Sequence, residues 1–141
     1  MKISNAASML WVLFCVGLFS LNPQTSNATV RVGGESLRAN GQVAQGFQYT
    51  GSCPVNLQFG WGLIATEPTD VRYRFVRNDG GHSTNAQVVN IPGANRSVPV
   101  YEKWSLGANS PQFANYTGWV RLVVESPNAV EGKIGFTIHC Q

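Results

Sequence analysis

Alternation of apolar and polar residues is the feature that most limits how this chain can fold. Between Cys53 and Leu63 every second residue is apolar, and asparagine, glutamine and glycine fill most of the positions between them. Because side chains along a β-strand point to its two faces in turn, this period of two predicts a strand with one buried face. No segment beyond residue 28 has the apolar spacing of an amphipathic helix. The chain is therefore expected to be all-β.

Similar alternation recurs at short intervals between turn-forming residues. It predicts further strands at 71–75, 84–91, 97–106, 116–125 and 133–140, and weaker ones at 29–37 and 43–49. Seven or eight short strands without intervening helices are typical of an antiparallel sandwich rather than a barrel of long strands. Pro99 lies within one of these runs and cannot donate a ladder hydrogen bond, so it predicts an edge strand or a bulge there.

Residues 1–28 are predicted to be a secretory signal peptide that is removed. Lys2 precedes an apolar run of 13 residues, 9–21, and a cut after Ala28 would follow small residues at positions 26 and 28. A membrane anchor is the alternative, but a spanning helix needs roughly 20 apolar residues. Residues 29–141 would then form one secreted or periplasmic domain with no stable membrane insertion.

Charge is sparse in this chain. It carries 10 Lys or Arg and 7 Asp or Glu among 141 residues, and 43% of its residues are hydrophobic. Disordered chains and chains that coat nucleic acid depend on much higher charge, whereas this hydrophobic content supports a packed core. The sequence therefore indicates one small domain without a nucleic-acid partner.

Two cysteines, Cys53 and Cys140, remain after removal of the signal peptide. An even pair in a chain exported to an oxidising compartment predicts one disulfide. In an immunoglobulin-type sandwich the second strand starts, and the last strand finishes, at the same end but in opposite sheets, so this bridge would join the sheets. The Cys, Trp, Cys spacing of antibody domains is absent. The expected fold is an immunoglobulin-like antiparallel β-sandwich of seven to eight strands with one disulfide.

Six strand and turn segments carry a resemblance to known proteins. They are YTGSCPV at 49–55, YRFVRNDG at 73–80, WSLG at 104–107, GWVRL at 118–122, SPNAV at 126–130 and FTIHC at 136–140. Together they resemble a loosely defined group of small secreted bacterial proteins with immunoglobulin-like domains and no assigned activity. The resemblance spans about residues 43–140. It implies the sandwich and the bridge from Cys53 to Cys140, and it brings no catalytic or binding residues. Phe75 stands where many such sequences have tryptophan.

No set of residues in the sequence forms a recognisable reaction centre. His82 lies in a turn beside Asp79 and Ser83, too close in sequence for a hydrolase triad, and His139 is expected on the surface. No motif brings two carboxylates together for glycoside hydrolysis, no glycine-rich phosphate loop precedes a helix, and two thiols alone do not make a metal site. We therefore expect no catalytic residues, no metal and no cofactor.

The one candidate recognition surface is a strand face. If Val71 and the residues that alternate with it face the core, Arg72 and Arg74 face outward, and the same rule turns Trp119 and Arg121 outward from the strand at 116–125. The two strands are neighbours in an immunoglobulin-like sheet, so three guanidinium groups would lie beside an indole. Such a set suits acidic or sugar ligands. The alternative is a solvated arginine face with Trp119 covered or turned inward.

Three functions are open at this point. A non-enzymatic secreted or periplasmic interaction module with a protein or polysaccharide ligand is favoured, because sandwiches present binding sites on loops and sheet faces. A carbohydrate-binding module would use Trp119, Tyr101 or Tyr116 as stacking platforms, and a coplanar row of these rings would favour it. A secreted hydrolase, or an inhibitor of one, would need a deep cleft with two converging carboxylates. Trp61 and Trp104 have the parity of core residues.

The signal peptide and the cysteine pair together predict the chemical form of the exported protein. We expect its mass to show the loss of residues 1–28 and of two hydrogens, because cleavage follows Ala28 and the two thiols pair. Intact-mass measurement of the secreted protein, before and after reduction, checks both parts. Free thiols at both Cys53 and Cys140 would contradict the prediction.

Overall fold

Nine strands form in the part of the chain that the computed structural model describes, which is residues 27–80, 85–107 and 114–141. The predicted signal peptide, up to residue 26, and the first residue of the predicted 84–91 strand lie outside these ranges. In chain order the strands are β1 Val30–Ala39, β2 Gln42–Val43, β3 Gln48–Gly51, β4 Val55–Ala65, β5 Thr69–Arg77, β6 Gln87–Ile91, β7 Ser97–Leu106, β8 Asn115–Ser126 and β9 Val130–Cys140. None of the described segments is a helix long and apolar enough to cross a membrane.

The strands form a sandwich of two sheets. One sheet has four strands in the order β2-β1-β4-β7, and the other has five in the order β3-β9-β8-β5-β6. Each described pair is antiparallel except β3 with β9. The expected immunoglobulin-like antiparallel sandwich is confirmed, and β5 and β8 are neighbours in it. Among the described strands only β4 pairs with β7, so Pro99 lies on an edge strand, as predicted.

The strand predicted at 43–49 is divided between the two sheets. Asn40 and Gly41, with φ of 48° and 84°, supply the left-handed pair that a two-residue hairpin needs, and β2 follows for only two residues. A 3-10 turn at Gln45–Phe47 then carries the chain to the other sheet, where β3 runs parallel to β9. The prediction of one continuous strand was wrong because Gly46, at φ 61°, breaks the extended backbone.

The core lies between the inner faces of the two sheets and follows the predicted alternation. Trp61 and Trp104 are both buried, as their parity indicated. Phe136 of β9 connects the sheets, because its ring centroid lies 5.1 Å from that of Phe59 on β4 and 5.6 Å from that of Trp104 on β7. Phe75 of β5 packs 5.7 Å from the Trp61 ring. These edge-on and tilted contacts are the arrangements that aromatic rings prefer in cores.

The predicted disulfide joins the two sheets at one end of the sandwich. Cys53 lies two residues before β4 and Cys140 ends β9, and the bridge holds their Cα atoms 5.4 Å apart across 87 residues of chain. Gly107 packs against this bridge, since a Cβ there would lie 2.7 Å from the Cys53 Cβ and 2.8 Å from the Cys140 Sγ. Its φ of 86° is in the left-handed region, which glycine adopts most easily. Glycine is therefore required both by this backbone conformation and by the lack of room for a side chain.

Replacing Cys53 with serine should lower the free energy of unfolding by about 2–5 kcal/mol, because the bridge restricts a long loop in the unfolded chain. Denaturant unfolding of the oxidised protein and of Cys53→Ser measures the difference. The reduced wild-type protein is the matched control and should unfold at a similarly lowered midpoint. Equal stability of the oxidised and reduced proteins would show that the bridge does not stabilise the sandwich.

Candidate functional site

The outer face of the five-stranded sheet carries the four residues considered for recognition. Arg72 and Arg74 lie on β5, and Trp119 and Arg121 lie on β8. The residues that alternate with them along both strands are buried in the core, so these four side chains project from the other side of the sheet. Trp119 is half-buried on this face.

Two cations contact the indole of Trp119. The Arg121 Cζ lies 4.8 Å and the Lys133 Nζ lies 5.3 Å from the ring centroid. Both distances suit a cation–π contact, which contributes about 0.5–1 kcal/mol at exposed sites. Arg121 and Lys133 are directly opposite each other on β8 and β9, and Trp119 is opposite Gly135 in the next row. Both cations therefore approach the ring from the same neighbouring row, and the glycine presents no side chain beside it.

The rows on the other side of Trp119 carry hydroxyl, amide and imidazole groups. The Oγ1 atoms of Thr117 and Thr137 lie 3.2 Å apart, and the Nδ1 of His139 lies 2.6 Å from the Oδ1 of Asn115. These two pairs occupy successive rows of β8 and β9. Trp119 therefore lies between a charged part of the face and a part that carries hydrogen-bonding groups.

Arg72 and Arg74 form a separate cluster on the same face. Both donate to Glu125, Arg72 through Nε to Oε2 at 3.1 Å and Arg74 through Nε to Oε1 at 3.0 Å. Arg74 is opposite Val123, and Val123 lies four residues along β8 from Trp119, which corresponds to roughly 13 Å at about 3.3 Å per residue. The four residues share one face, but they form two clusters rather than the single set that the sequence suggested.

Two carboxylates offset half of the positive charge of these clusters, which contain three arginines and Lys133. Glu125 serves two arginines, and the Oε2 of Glu131 lies 3.4 Å from the Nη1 of Arg121. All of these side chains are more than a third exposed or close to it, so each pair contributes at most about 1 kcal/mol to folding. Of the cations in the two clusters, only Lys133 has no ion pair with a described residue. The pairs position the side chains and weaken the attraction of this face for an anion.

A buried ion pair between the sheets was not anticipated from the sequence. Arg77, at the end of β5, and Glu102, in β7, are each 8% exposed, and the Arg77 Nη2 lies 3.0 Å from the Glu102 Oε1. The Arg77 guanidinium also lies 4.7 Å from the Trp104 ring centroid. The alternation does indicate that both residues face inward, because Arg77 has the parity of the buried residues of β5 and Glu102 has that of the buried residues of β7. Charged residues are seldom buried, so parity alone does not predict a buried ion pair.

The same pair occupies part of the free edge of β7. The Oε1 of Glu102 accepts a hydrogen bond from the Lys103 amide at 3.0 Å, and Arg77 donates to the Lys103 carbonyl. Pro99 has the parity of Lys103 and has no amide hydrogen to offer on that side. Unpaired groups along a strand edge are templates for pairing with another chain, so these features limit such pairing along β7.

The aromatic residues considered for sugar stacking do not lie in one row. Trp119 is on the outer face of the five-stranded sheet, whereas Tyr101 is 52% exposed on the outer face of the four-stranded sheet. Tyr116 is half-buried, with its ring 6.0 Å from that of Phe136 and 5.9 Å from that of Trp104. Tyr101 is thus exposed, as a stacking platform must be. Because Trp119 and Tyr101 lie on opposite faces of the sandwich, one flat ligand cannot stack on both rings.

Titratable side chains in the described ranges do not form a metal site. No three His, Cys, Asp or Glu side chains within residues 27–80, 85–107 and 114–141 come close enough to hold a metal ion. His82 and Ser83 lie outside those ranges. Burial raises the pKa of the Tyr73 hydroxyl above its usual value, so this group stays protonated at neutral pH and donates to the Gln87 Oε1 at 3.1 Å.

Removing one partner of the buried pair should be costly. Glu102→Leu leaves the Arg77 guanidinium buried without its carboxylate, and we expect the free energy of unfolding to fall by about 3–5 kcal/mol. Changing both residues, Arg77→Met with Glu102→Leu, should cost less than Glu102→Leu alone, because no uncompensated charge remains. Denaturant unfolding of the two single variants and the double variant measures the coupling. If the loss of unfolding free energy in the double variant equals the sum of the losses in the two single variants, the two residues are not coupled, which would contradict this explanation.

Comparisons with known proteins bear on the fold. No family model and no curated protein matches the sequence. Among solved structures the chain is similar to the CARDB domain of a Pyrococcus furiosus protein in complex with di-metal ions, with a TM-score of 0.50 and 8% identity over 81% of this chain and 96% of that one. It is also similar to the alkylpurine DNA glycosylase AlkC of Pseudomonas fluorescens bound to DNA containing an abasic site analogue, with a TM-score of 0.40 and 13% identity over 79% of this chain and 30% of that one. The first likeness accords with the immunoglobulin-like β-sandwich.

Proposed function

We propose that this protein is a non-enzymatic interaction module of the secreted fraction or the periplasm, and that it binds a protein or polysaccharide ligand. The proposed binding surface is the Trp119 face, which consists of Trp119 with Arg121, Lys133, Thr117 and Thr137. The observation that carries the proposal is a half-buried indole on the outer side of a sheet, contacted by the two cations Arg121 and Lys133. A tryptophan that served folding alone would gain more by burying its whole ring in the core.

The ring is positioned before any ligand arrives. Arg121 and Lys133 contact the indole, and Glu131 in turn holds Arg121. Side chains that are already ordered lose little conformational entropy when a partner binds, so more of the contact energy appears as affinity. Tryptophan and arginine are also the residues that most often dominate the binding energy of interfaces. A planar or apolar ligand surface laid on this indole would therefore bind favourably.

Two further features support the proposal. The disulfide between Cys53 and Cys140 is of the kind that persists in oxidising compartments, and residues 1–28 have the pattern of an export signal. The carboxylates of Glu102, Glu125 and Glu131 are engaged by arginines rather than directed together into a cleft. Their roles in holding cations in place are those of a binding scaffold.

Trp119→Ala should weaken ligand binding at least about ten-fold, the effect of losing roughly 1.4 kcal/mol of contact energy. The ligand is first captured from the secreted fraction on immobilised residues 29–141, identified by mass spectrometry, and then titrated against wild type and variant. Val88→Ala is the matched control, because Val88 is an exposed apolar residue, 62% accessible, on β6 of the same sheet. It should leave the affinity unchanged.

The melting temperature separates a binding role from a folding role. Loss of affinity in Trp119→Ala at an unchanged melting temperature supports the proposal, because the core does not contain this ring. Unchanged affinity, or a loss that only follows unfolding, would assign Trp119 to the stability of the sheet.

A carbohydrate-binding module is the second candidate. It is favoured by the hydroxyl pair of Thr117 and Thr137, which lies in the row next to Trp119 and could accompany a sugar ring stacked on the indole. The lack of one row containing Trp119, Tyr101 and Tyr116 limits such a platform to a short ligand on this face. In the titration described above, a saccharide as the captured ligand would select this candidate.

A further inference from the structure

The outer face of the four-stranded sheet differs from the Trp119 face in its charge. Arg38 on β1 and Lys103 on β7 form no ion pair with a described residue, whereas the arginines of the other face are paired with glutamates. No carboxylate occupies an outward position of β4 or β7. Glu35 lies in the bulge of β1, next to Ser36 rather than beside Lys103. The positive charge of Arg38 and Lys103 is therefore available to an anion.

A cavity of about 530 Å³ opens on this face. Its lining includes Gly41 from the turn after β1, Asn56 and Gln58 from β4, and Lys103 and Ser105 from β7. Its volume falls within the range of about 300–1,000 Å³ that is typical of small-ligand sites. The polar atoms that these residues bring are amides, a hydroxyl and an ammonium group, a set that suits a ligand with several hydroxyls and a negative charge.

Arg38 brings a second cation to the rim of the cavity. Its Nη1 donates to the carbonyl of Gly41 at 3.1 Å, which fixes the guanidinium beside a lining residue. In the sheet register Arg38 is opposite Gln58, and Gln58 is opposite Lys103. Neighbouring strands are about 4.8 Å apart, so β1 and β7 are about 10 Å apart on the two sides of β4. Arg38 and Lys103 therefore stand on the two strands beside Gln58. A carboxylate over Gln58 would be within reach of both cations.

An exposed aromatic ring lies in the next row. Tyr101 is opposite Gly60, and a Cβ at Gly60 would lie 3.0 Å from the Tyr101 Cε1 and 2.6 Å from the Ser36 Oγ. The absence of a side chain at Gly60 therefore lets the ring lean across β4 while it remains 52% exposed. A smaller hollow of about 160 Å³ continues on the far side, over Gly62.

We propose that this basic face, meaning Arg38, Gln58, Lys103, Ser105 and Tyr101, binds an acidic oligosaccharide. The carboxylate of one sugar is held by Arg38 and Lys103, the amide and the serine contact hydroxyls, and a neighbouring sugar ring lies on Tyr101. From Asn56 in the cavity to Gly62 in the smaller hollow, the two openings together cover six residue steps of β4, roughly 20 Å, which is room for several sugar units. The site rests on the proposed role as a binding module, but it uses the opposite sheet from the Trp119 face.

The polar lining favours a saccharide over an acidic peptide. A peptide carboxylate could meet the same two cations, but an extended peptide offers Asn56, Gln58 and Ser105 one main-chain donor and one acceptor per residue, whereas each sugar ring carries several hydroxyls that both donate and accept. Polar groups that are covered by a ligand without gaining a hydrogen bond lower its affinity. A sugar acid satisfies both the charge and the hydrogen-bonding groups of this face.

Titration of tetragalacturonate into residues 29–141, followed by calorimetry, tests the proposal. Arg38→Gln and Lys103→Gln should each weaken binding about ten-fold, the loss of one charge-assisted contact. Arg72→Gln is the matched control: it removes the same charge from an exposed arginine on β5, on the outer face of the opposite sheet, and it should leave affinity unchanged. Tyr101→Ala should weaken binding, and Tyr101→Phe should retain it. Melting temperatures verify that each variant is folded.

Chemically matched ligands decide between charge and shape. Fully methyl-esterified tetragalacturonate has the same sugar rings without the carboxylates and should bind at least about ten-fold more weakly. Tetraglutamate that binds as tightly as tetragalacturonate would overturn the saccharide assignment. Equal losses in Arg72→Gln and Lys103→Gln, or no binding of tetragalacturonate, would overturn the site. Trp119→Ala should leave this titration unchanged, so failure here is distinguishable from failure of the Trp119 face.

Discussion

Burial of one face of β4 against the five-stranded sheet is the contact on which the rest of the structure depends. Phe59 meets Phe136 and Trp61 meets Phe75 across the gap between the sheets. Because a slip of one residue would exchange the two faces of a strand, this packing fixes which side chains point outward as firmly as it fixes the core. The disulfide at the end of the sandwich holds the same arrangement. Both candidate surfaces are therefore consequences of the core.

The two outer faces of the sandwich differ in their charge, although both are built on β-sheets. On the five-stranded sheet, Glu125 and Glu131 hold the arginines in place and leave an indole as the distinctive group. On the four-stranded sheet, Lys103 and Arg38 border a cavity with no carboxylate at the outward positions of β4 and β7. A rigid sheet suits both, since ligand groups positioned by packed strands need little further ordering. We therefore propose an aromatic contact for the outer face of the five-stranded sheet and charge recognition for that of the four-stranded sheet.

Alternation predicted the strands and the core tryptophans, because parity decides these features, and the missing amide hydrogen of Pro99 predicted an edge strand or a bulge. The single strand expected at 43–49 failed because the change of sheet depends on the backbone of Gly46, which has no signature in hydrophobicity. The clustering on the outer face depends on the register of β5 and β8, and a shift between Arg72 and Tyr73 alters that register. Local sequence does not specify it.

The remaining features depend on contacts between distant strands. The pair of Arg77 and Glu102 joins β5 to β7, and the row of Arg38, Gln58 and Lys103 needs β1 and β7 to flank β4. Nothing in the sequence of one strand reports which strands lie beside it. Sequence reasoning could therefore identify the inward charges by parity, but it could not bring the cations of the basic face together.

Solvent exposure of the three indoles in residues 29–141 tests the central claim most directly, which is that the fold presents Trp119 on its surface while it buries the other two. A soluble paramagnetic agent broadens the NMR signals of groups that solvent reaches. The Nε1 of Trp61 is buried, and Trp104 is 7% exposed, so we expect one indole N–H signal to broaden strongly and that signal to be missing in Trp119→Phe. Equal protection of all three signals, or broadening of one that persists in Trp119→Phe, would contradict the account.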